Sequence, residues 1–348
     1  MKPGPSLDQL AASPASAARA LAAFRISCPS LLRRRDVSQL TDPADWSEAC
    51  TAAGSWPGDN ALQFFAGYFE TATVGDGRAF ATGYYEPRIA ASRTKMPGYE
   101  VPIYRVPADL IDLDLGMFSP DLAGRHVRGR ALYGQLVPYY DRGDIEDGVL
   151  VARGLEIAWA ADPVDLFFMQ IQGSGELVFP DGSTARIGYA GQNGRDYVAI
   201  GGLLRQRGLI SGPISMQAIR DWLHANPEQG RALMREDRSY VFFKELTGPG
   251  PLGALGRPLT PRASAATDPK FIPLGAPIVL TSDRPEANGL WIAQDTGGAI
   301  KGANRLDTFW GDGDEAAVLA GGMAARGQAW LLLPRGVLAR KGSHASPR

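Results

Sequence analysis

The stretch QDTGGAIKGANRLDTFWGDGDEA (residues 294–316) decides how the C-terminal part of this chain folds and what chemistry it offers. It follows the apolar, strand-like run LWIA and holds four aspartates and one glutamate, but no histidine or cysteine. The pair Gly297-Gly298 permits a tight backbone turn directly after Asp295. The acids from Asp312 to Glu315 precede an alanine-rich segment, where they favour the N-terminus of a helix. Two acids, Asp295 and Asp307, are then left as candidates for a functional site.

Asp307 has the local setting of a general acid. It stands between Leu306 and the aromatic pair Phe309-Trp310. A carboxyl beside aromatic surface loses hydration, which raises its pKa and lets it hold a proton near neutral pH. A calcium loop is the competing interpretation. The EF-hand spacing of acids is absent, and we predict no metal site here.

Composition places the chain among globular proteins. It has 348 residues, of which 45% are hydrophobic and 21% charged, so two domains are expected. The formal net charge of −1 provides no basic field for nucleic acid and favours a neutral polymer or a small molecule. No apolar run is long enough to predict a membrane span. The N-terminal segment lacks the apolar core of a signal peptide, and no lipid-anchor motif is visible.

The two cysteines, Cys28 and Cys50, leave several interpretations open. They can form a disulfide, remain as buried thiols, or be unrelated. A zinc site is disfavoured because the three histidines lie far from both cysteines in the sequence.

The pattern of elements changes along the chain. Residues 1–70 show helical spacing, and abundant glycine and proline beyond them favour short strands and turns. The segment DLFFMQIQGSGELVFPDGSTARIGYAG predicts a hairpin of two strands around Pro180-Asp181-Gly182. The segment SMQAIRDWLHANPEQGRALMRE predicts amphipathic helices, with Ser215 as the cap of the first.

The glycine-rich segment QIQGSG presents polar groups beside bare backbone. Gln170, Gln172 and Ser174 carry amides and a hydroxyl that suit sugar hydroxyls, while Gly173 and Gly175 expose main chain. A nucleotide loop is disfavoured because a strand, rather than a helix, is predicted to follow. A serine nucleophile is disfavoured because the nucleophile-elbow spacing is not met. A plain hairpin with exposed polar residues is the alternative.

The segment GYYEP places two aromatic rings and a carboxyl at a strand end. Tyr84 and Tyr85 can stack on sugar rings, and Glu86 can bind a hydroxyl. The alternative is a tyrosine pair in the core before a proline turn.

A set of segments together resembles the membrane-bound lytic murein transglycosylase A family. They run in order over about residues 80–335 and are GYYEP, FFMQIQGSGELVFPDG, IGYAGQNGRDYVAIGGLL, SMQAIRDWL, YVFFKE, TDPKFIPLGAPI and AQDTGGAIKGANRLDTFWGDGDEAA. The last two also resemble the three-aspartate domain of cell-wall enzymes. The namesake aspartates of that domain would be Asp268, Asp295 and Asp307.

The resemblance implies a mainly β fold with peripheral helices. A double-psi β-barrel would be built from residues 1–90 and 241–335, with a smaller β-rich domain inserted at 91–240 and a flexible tail at 336–348. Substrate would lie in a groove with GYYEP and QGSG on one side and the aspartates on the other.

The implied activity is non-hydrolytic cleavage of the β-1,4 bond between N-acetylmuramic acid and N-acetylglucosamine in peptidoglycan. Asp307 would be the single acid and base, Asp295 would position it or stabilise the transition state, and Asp268 would contact substrate or hold a turn. No cofactor, metal or nucleic acid is implied. We expect a monomer in the periplasm or cell envelope, with association with the outer membrane as an option that the resemblance leaves open. The alternatives are a non-catalytic glycan-binding protein with the same groove and a calcium-dependent hydrolase.

Overall fold

The computed structural model describes residues 1–10, 12–212, 215–248 and 250–343. The α-helices are α1 (Pro14–Leu31), α2 (Ser47–Ser55), α3 (Ala61–Tyr68), α4 (Arg142–Glu146), α5 (Pro163–Gln172), α6 (Ile200–Gln206), α7 (Met216–Ala225), α8 (Pro227–Glu236), α9 (Gly313–Gly321) and α10 (Val337–Ser343). Within the described ranges, no helix combines the length and apolar character needed to cross a membrane.

The β-strands are mostly short. They are β1 (Lys2–Pro3), β2 (Phe69–Thr73), β3 (Arg78–Glu86), β4 (Arg88–Ser92), β5 (Val101–Tyr104), β6 (Ile111–Asp114), β7 (His126–Leu132), β8 (Gln135–Pro138), β9 (Glu156–Ala160), β10 (Ser174–Val178), β11 (Thr184–Gln192), β12 (Val241–Leu246), β13 (Ser264–Ala266), β14 (Pro277–Ser282), β15 (Gly289–Asp295), β16 (Arg305–Asp312) and β17 (Ala324–Pro334).

The chain divides into two compact units. Unit 1 comprises Met1–Tyr85 and Leu252–Arg348, and unit 2 comprises Glu86–Pro251. The insertion therefore begins before the predicted residue 91 and ends after the predicted residue 240. β4 starts only two residues after β3 ends, so no linker in the sequence marks where the insertion begins. Of the predicted flexible tail, residues 337–343 form α10, and residues 344–348 lie outside the described part of the chain.

Unit 1 is built around a closed six-stranded barrel. Its strands follow the order β17-β14-β15-β13-β16-β3, and β3 pairs again with β17. The eleven-residue β17 allows this closure because its first half pairs with β3 and its second half with β2. Residues Gly289–Gln294 of β15 are all buried, as expected for a barrel strand covered on both faces. The predicted fold class, mainly β with a barrel and peripheral helices, is confirmed.

The N-terminal helices of unit 1 share an aromatic core. Phe24 of α1 contacts Trp46, Phe64 and Phe69 with ring centroids 5.5–6.3 Å apart. A disulfide between Cys28 and Cys50 joins α1 to α2, with Cα atoms 5.5 Å apart. This settles the alternatives that the two cysteines left open.

Unit 2 contains a six-stranded sheet of order β12-β11-β10-β4-β9-β5, a three-stranded sheet β6-β7-β8, and helices α4 to α8. The hairpin β10–β11 turns at Pro180-Asp181-Gly182, as predicted. The hairpin prediction is wrong for residues 165–172, which belong to helix α5 rather than to the first strand. Asp162 caps this helix and Gly173 ends it in the left-handed conformation.

Candidate active site

Two neighbouring barrel strands, β3 and β16, bring a row of side chains together in unit 1. Alternate residues of a strand share one face, and here the alternate residues of both strands meet. The contacts, in order along β3, are Phe80 with Arg305, Thr82 with Asp307, and Tyr84 with Phe309. The barrel thus places an acid in the middle of a mixed polar and aromatic row.

The carboxyl of Asp307 is partly buried and held by one hydroxyl. Thr82 Oγ1 donates to Asp307 Oδ1 at 2.6 Å, and Arg305 Nη2 donates to Thr82 Oγ1 at 2.9 Å. Burial raises the pKa of Asp307 to about 6, against the lowering effects of the Thr82 hydrogen bond and the Arg305 charge. The negative charge of Asp295 raises it further. This carboxyl can therefore hold a proton close to neutral pH.

Asp295 ends β15 and accepts three hydrogen bonds. Tyr84 Oη donates to Oδ2 at 3.0 Å, and the backbone N–H groups of Ala254 and Thr296 donate to Oδ1 at 3.0 and 2.9 Å. Burial raises the pKa of Asp295 to about 6, while these three donors favour its charged form. The pKa of Tyr84 is well above its ordinary value, through burial and the Asp295 charge, so its hydroxyl remains a donor.

The short strand β13 separates the two acids. Ala266 pairs with Asp295 on one side and with Asp307 on the other. Adjacent strands lie about 4.8 Å apart, so the two aspartate backbones are about 10 Å from each other. Asp295 has three donors and Asp307 has one hydroxyl, so hydrogen bonds favour the charged form of Asp295 more than that of Asp307.

Trp310 does not border Asp307, contrary to the sequence-based expectation. Trp310 Nε1 donates to Thr308 Oγ1 at 3.0 Å, and its ring packs 5.8 Å from that of Trp291. Residues 308 and 310 occupy the opposite face of β16 from residues 307 and 309 because side chains alternate along a strand. The aromatic neighbour on the acid's own face is Phe309, which is 2% exposed.

The third predicted aspartate, Asp268, holds a turn. Its Oδ1 accepts from Lys270 N at 3.1 Å and its Oδ2 from Gly302 N at 2.9 Å. The side chain is buried. These bonds support the turn after β13, the second role weighed for this residue.

The tyrosines of GYYEP are both buried, but they lie on alternate faces of β3. The ring of Tyr84 lies 5.1 Å from that of Phe309 and its hydroxyl is bonded to Asp295. These contacts indicate that Tyr84 orients Asp295 rather than stacking on a sugar ring. The predicted contact of Tyr85 with substrate stays a prediction.

The other predicted binding residues belong to unit 2. Glu86 is buried, with Arg186 Nη2 3.4 Å from its Oε2. Gln170 is also buried; its Oε1 accepts from Arg142 at 2.7 Å and its Nε2 donates to Val241 O at 3.2 Å, which favours a structural role. Gln172, Gly173 and Ser174 are partly exposed where α5 passes into β10, and Gly175 is buried. Their contact with substrate stays a prediction.

Sequence reasoning missed Thr82 and Arg305. Both lie on the face that carries Tyr84 and Asp307, so period-two alternation along RAFATGYYE and RLDTFW is the signal that marks them. Among the described residues, no cluster of three or more histidine, cysteine or acidic side chains is arranged to hold a metal ion.

Comparison with known proteins connects both units to one family. The model of the MltA specific insert domain matches residues 80–244, and that of the 3D domain matches residues 263–333. A membrane-bound lytic murein transglycosylase from Agrobacterium tumefaciens, known from its crystal structure, is 34% identical. The similarity covers 90% of this chain and 93% of that one, with a TM-score of 0.80.

The chain belongs to the membrane-bound lytic murein transglycosylase A family.

Further members of this family are similar over large parts of the chain. The Vibrio cholerae membrane-bound lytic murein transglycosylase A is 39% identical over 203 residues, which is 55% of each chain. This chain thus matches about half the length of that curated relative. Escherichia coli MltA, crystallised with bound chitohexaose, is 30% identical with a TM-score of 0.68, covering 92% of this chain and 90% of that one.

Proposed function

We propose that this chain cleaves the β-1,4 bond between N-acetylmuramic acid and N-acetylglucosamine in peptidoglycan without using water. The product would carry a 1,6-anhydro ring. The observation that carries this proposal is the Asp307 carboxyl, whose pKa is raised to about 6 by burial and which lies beside a second, more strongly hydrogen-bonded acid. Membership of the murein transglycosylase family and the chitohexaose bound by the Escherichia coli relative support a β-linked glycan as the substrate.

One carboxyl is sufficient for both proton transfers. Asp307, protonated, donates its proton to the glycosidic oxygen as the C1–O bond breaks. The resulting carboxylate then takes the proton from the C6 hydroxyl of the muramic residue, and that oxygen closes on C1. A hydrolase with two catalytic carboxyls would need the second to activate water or to form a covalent intermediate. Here the C6 hydroxyl of the muramic residue attacks C1 itself, so neither an activated water nor a covalent intermediate is needed.

Asp295 acts through its negative charge. Three donors keep this carboxylate oriented, and its charge opposes ionisation of Asp307 while stabilising positive charge that develops at C1. Tyr84 holds one of its oxygens and thereby links β3 to the end of β15. Removing the charge of Asp295 or the hydroxyl of Tyr84 would test these two roles.

The proposed substrate places the protein in the cell envelope, on the periplasmic side where peptidoglycan lies. We retain Gln172, Gly173 and Ser174 as proposed contacts to glycan hydroxyls, because they combine partial exposure with polar groups and a bare main chain.

Product analysis tests the reaction. Purified protein incubated with murein sacculi is expected to release 1,6-anhydro-muropeptides, identified by mass spectrometry. Asp307→Asn keeps an acceptor for Thr82 but cannot transfer the proton, so we expect turnover to fall about a hundred- to ten-thousand-fold. The protein should still sediment with sacculi.

Asp312→Asn is the matched control, since Asp312 ends the same strand and is exposed. It should retain normal turnover. Products with reducing ends would show a hydrolase, and sedimentation with sacculi without product would show a non-catalytic binding protein. Full activity of Asp307→Asn would assign the acid role to another residue.

A further inference from the structure

Unit 2 contains a cavity of about 700 Å³. This volume lies within the range of about 300–1,000 Å³ that is usual for sites binding small molecules. The cavity is bordered by β5, β9 and helices α4, α5, α7 and α8, and much of its wall is apolar. Residues of that wall include Pro102, Ile145, Trp159, Val164, Phe167 and Met234. Such a wall suits the hydrocarbon or aromatic body of a ligand.

Several charged residues in the wall are already engaged within unit 2. Arg142 donates to Gln170 Oε1 and to Ser239 O, each at 2.7 Å. Asp162 Oδ2 lies 2.9 Å from His224 Nε2. Arg142 also lies 3.7 Å from Glu146 Oε1 and 3.8 Å from Asp237 Oδ2, so carboxylates offset its charge. These paired groups therefore do not determine which charge the cavity selects.

Three further charged residues line the cavity: Lys95, Glu100 and Glu156. Glu146 and Arg231, which also line the cavity, pair with Arg235 at 2.9 Å and with Asp147 at 3.4 Å. Within the part of the chain that the structure describes, none of the three remaining residues forms an ion pair. Two carboxylates against one ammonium leave the cavity with an uncompensated negative charge.

The paired strands β5 and β9 place one of these carboxylates beside polar and aromatic groups. Their register sets Tyr104 opposite Glu156 and Pro102 opposite Trp159, with an irregularity between Ile103 and Tyr104. This irregularity allows Glu156 and Trp159, three residues apart, both to line the cavity. Side chains opposite each other in such a pair have Cβ atoms about 5 Å apart. The Tyr104 hydroxyl is buried and has no hydrogen-bond partner among the described residues. The ring of Trp159 is partly exposed. The polar groups of Glu156 and Tyr104 therefore lie near the aromatic ring of Trp159.

We propose that this cavity binds a ligand that carries a primary ammonium group on an apolar or aromatic body. The ammonium pairs with Glu156 and Glu100, and the body lies against Trp159 and the apolar wall. A cation over the face of an aromatic ring gains additional attraction. An anionic ligand is disfavoured because it would meet two carboxylates and a single ammonium. This site is independent of the glycan chemistry assigned to Asp307.

Calorimetric titration with three small probes of one shape tests the charge preference. The probes are 2-phenylethylammonium, phenylacetate and phenylacetamide at pH 7. We expect the ammonium to bind at least about fivefold more tightly than the amide, because an ion pair contributes about 1 kcal/mol, and the carboxylate to bind most weakly. Equal binding of all three, or no binding of the ammonium, would overturn the proposal.

Variants locate the site. Glu156→Gln should weaken ammonium binding about fivefold, while Glu48→Gln, an exposed change on α2 of unit 1, should leave it unchanged. Val151→Trp should block binding without disturbing the core, because Val151 is 63% exposed and lines the cavity. Melting temperatures of all variants verify folding. Unaltered binding by both Glu156→Gln and Val151→Trp would place the ligand elsewhere and contradict the proposal.

Discussion

Asp295 and Asp307 have similar burial but different hydrogen-bond partners, and that difference supports the separate roles proposed for them. Three donors bind the carboxylate of Asp295, two of them backbone N–H groups. Asp307 has the Thr82 hydroxyl, which itself accepts from Arg305. Since donors stabilise the charged form, the contacts support the proposal that Asp295 is the carboxylate and Asp307 the acid. The assignment depends on neighbours that no local segment contains.

Thr82 sets both the position and the acidity of Asp307, and its removal should change the pH profile. The Thr82 hydroxyl favours the charged form of Asp307, so Thr82→Val raises the pKa of Asp307. If the protonated acid starts the reaction, activity falls as pH rises through that pKa. The alkaline limb of kcat/KM should therefore move to higher pH. The maximal rate should fall roughly tenfold because the carboxyl is less well positioned.

Thr82→Ser is the control for this change because it keeps the hydroxyl. Its pH profile should resemble that of the unaltered protein when 1,6-anhydro-muropeptide release is followed from pH 4 to 9. A Thr82→Val profile with an unmoved alkaline limb would show that this hydroxyl does not influence the ionisation that controls catalysis.

At the scale of elements, the glycines of QGSG have different structural requirements. Gly175 of β10 lies where the backbone approaches the residue before β4, and Glu176 N donates to Pro87 O at 2.9 Å. A Cβ at Gly175 would lie 2.8 Å from Pro87 O and would also meet Met169. Gly173 has φ +80° and open space around its Cβ position. One glycine is required by packing and the other by backbone conformation.

Alanine substitutions should separate these two requirements. Gly175→Ala should reduce the free energy of unfolding of unit 2 by about 2–3 kcal/mol because the main chain must move. Gly173→Ala should reduce it by about 1 kcal/mol, which is the strain of a left-handed non-glycine residue. Gly202→Ala in α6, where nothing lies within 4 Å, serves as a control and should not destabilise the unit. Urea unfolding measures all three, and an equal loss for Gly173→Ala and Gly175→Ala would contradict this account.

Helix α5 shows why elements are harder to predict than the turns that bound them. The segment VDLFFMQIQ is apolar around most of its circumference, because its side chains enter two separate core clusters. Such a run has no clear period, so a strand and a buried helix are equally compatible with it. The residues that bound this segment are more informative than its apolar pattern. Asp162-Pro163 is typical of a helix start and Gly173 of a helix end.

At the scale of the whole molecule, the disulfide ties the N-terminal helices of unit 1 together. It closes a loop of 22 residues between Cys28 and Cys50, and such a loop is expected to contribute about 3 kcal/mol by limiting the unfolded chain. Reduction with dithiothreitol should therefore lower the melting temperature of unit 1. Intact mass after alkylation, with and without reductant, reports the state of the two thiols.

Unit 2 provides the internal control, because Cys28 and Cys50 are the chain's only cysteines and both lie in unit 1. Its unfolding transition should be unchanged by the reductant. Alkylation of both cysteines in the native protein without reductant would contradict the disulfide.

The sequence alone determined the family and the fold class and marked the two candidate acids, because those depend on segments in which the informative residues are neighbours in the chain. An acid between an apolar strand and a glycine pair, or an acid shortly before two aromatic residues, is visible in a dozen letters. Only the tertiary structure decided which groups tune those acids. Thr82 reaches Asp307 across 225 residues of sequence, and Tyr84 reaches Asp295 across 211. Closure of the barrel brings these strands side by side, and a hydrogen bond depends on that proximity rather than on order along the chain.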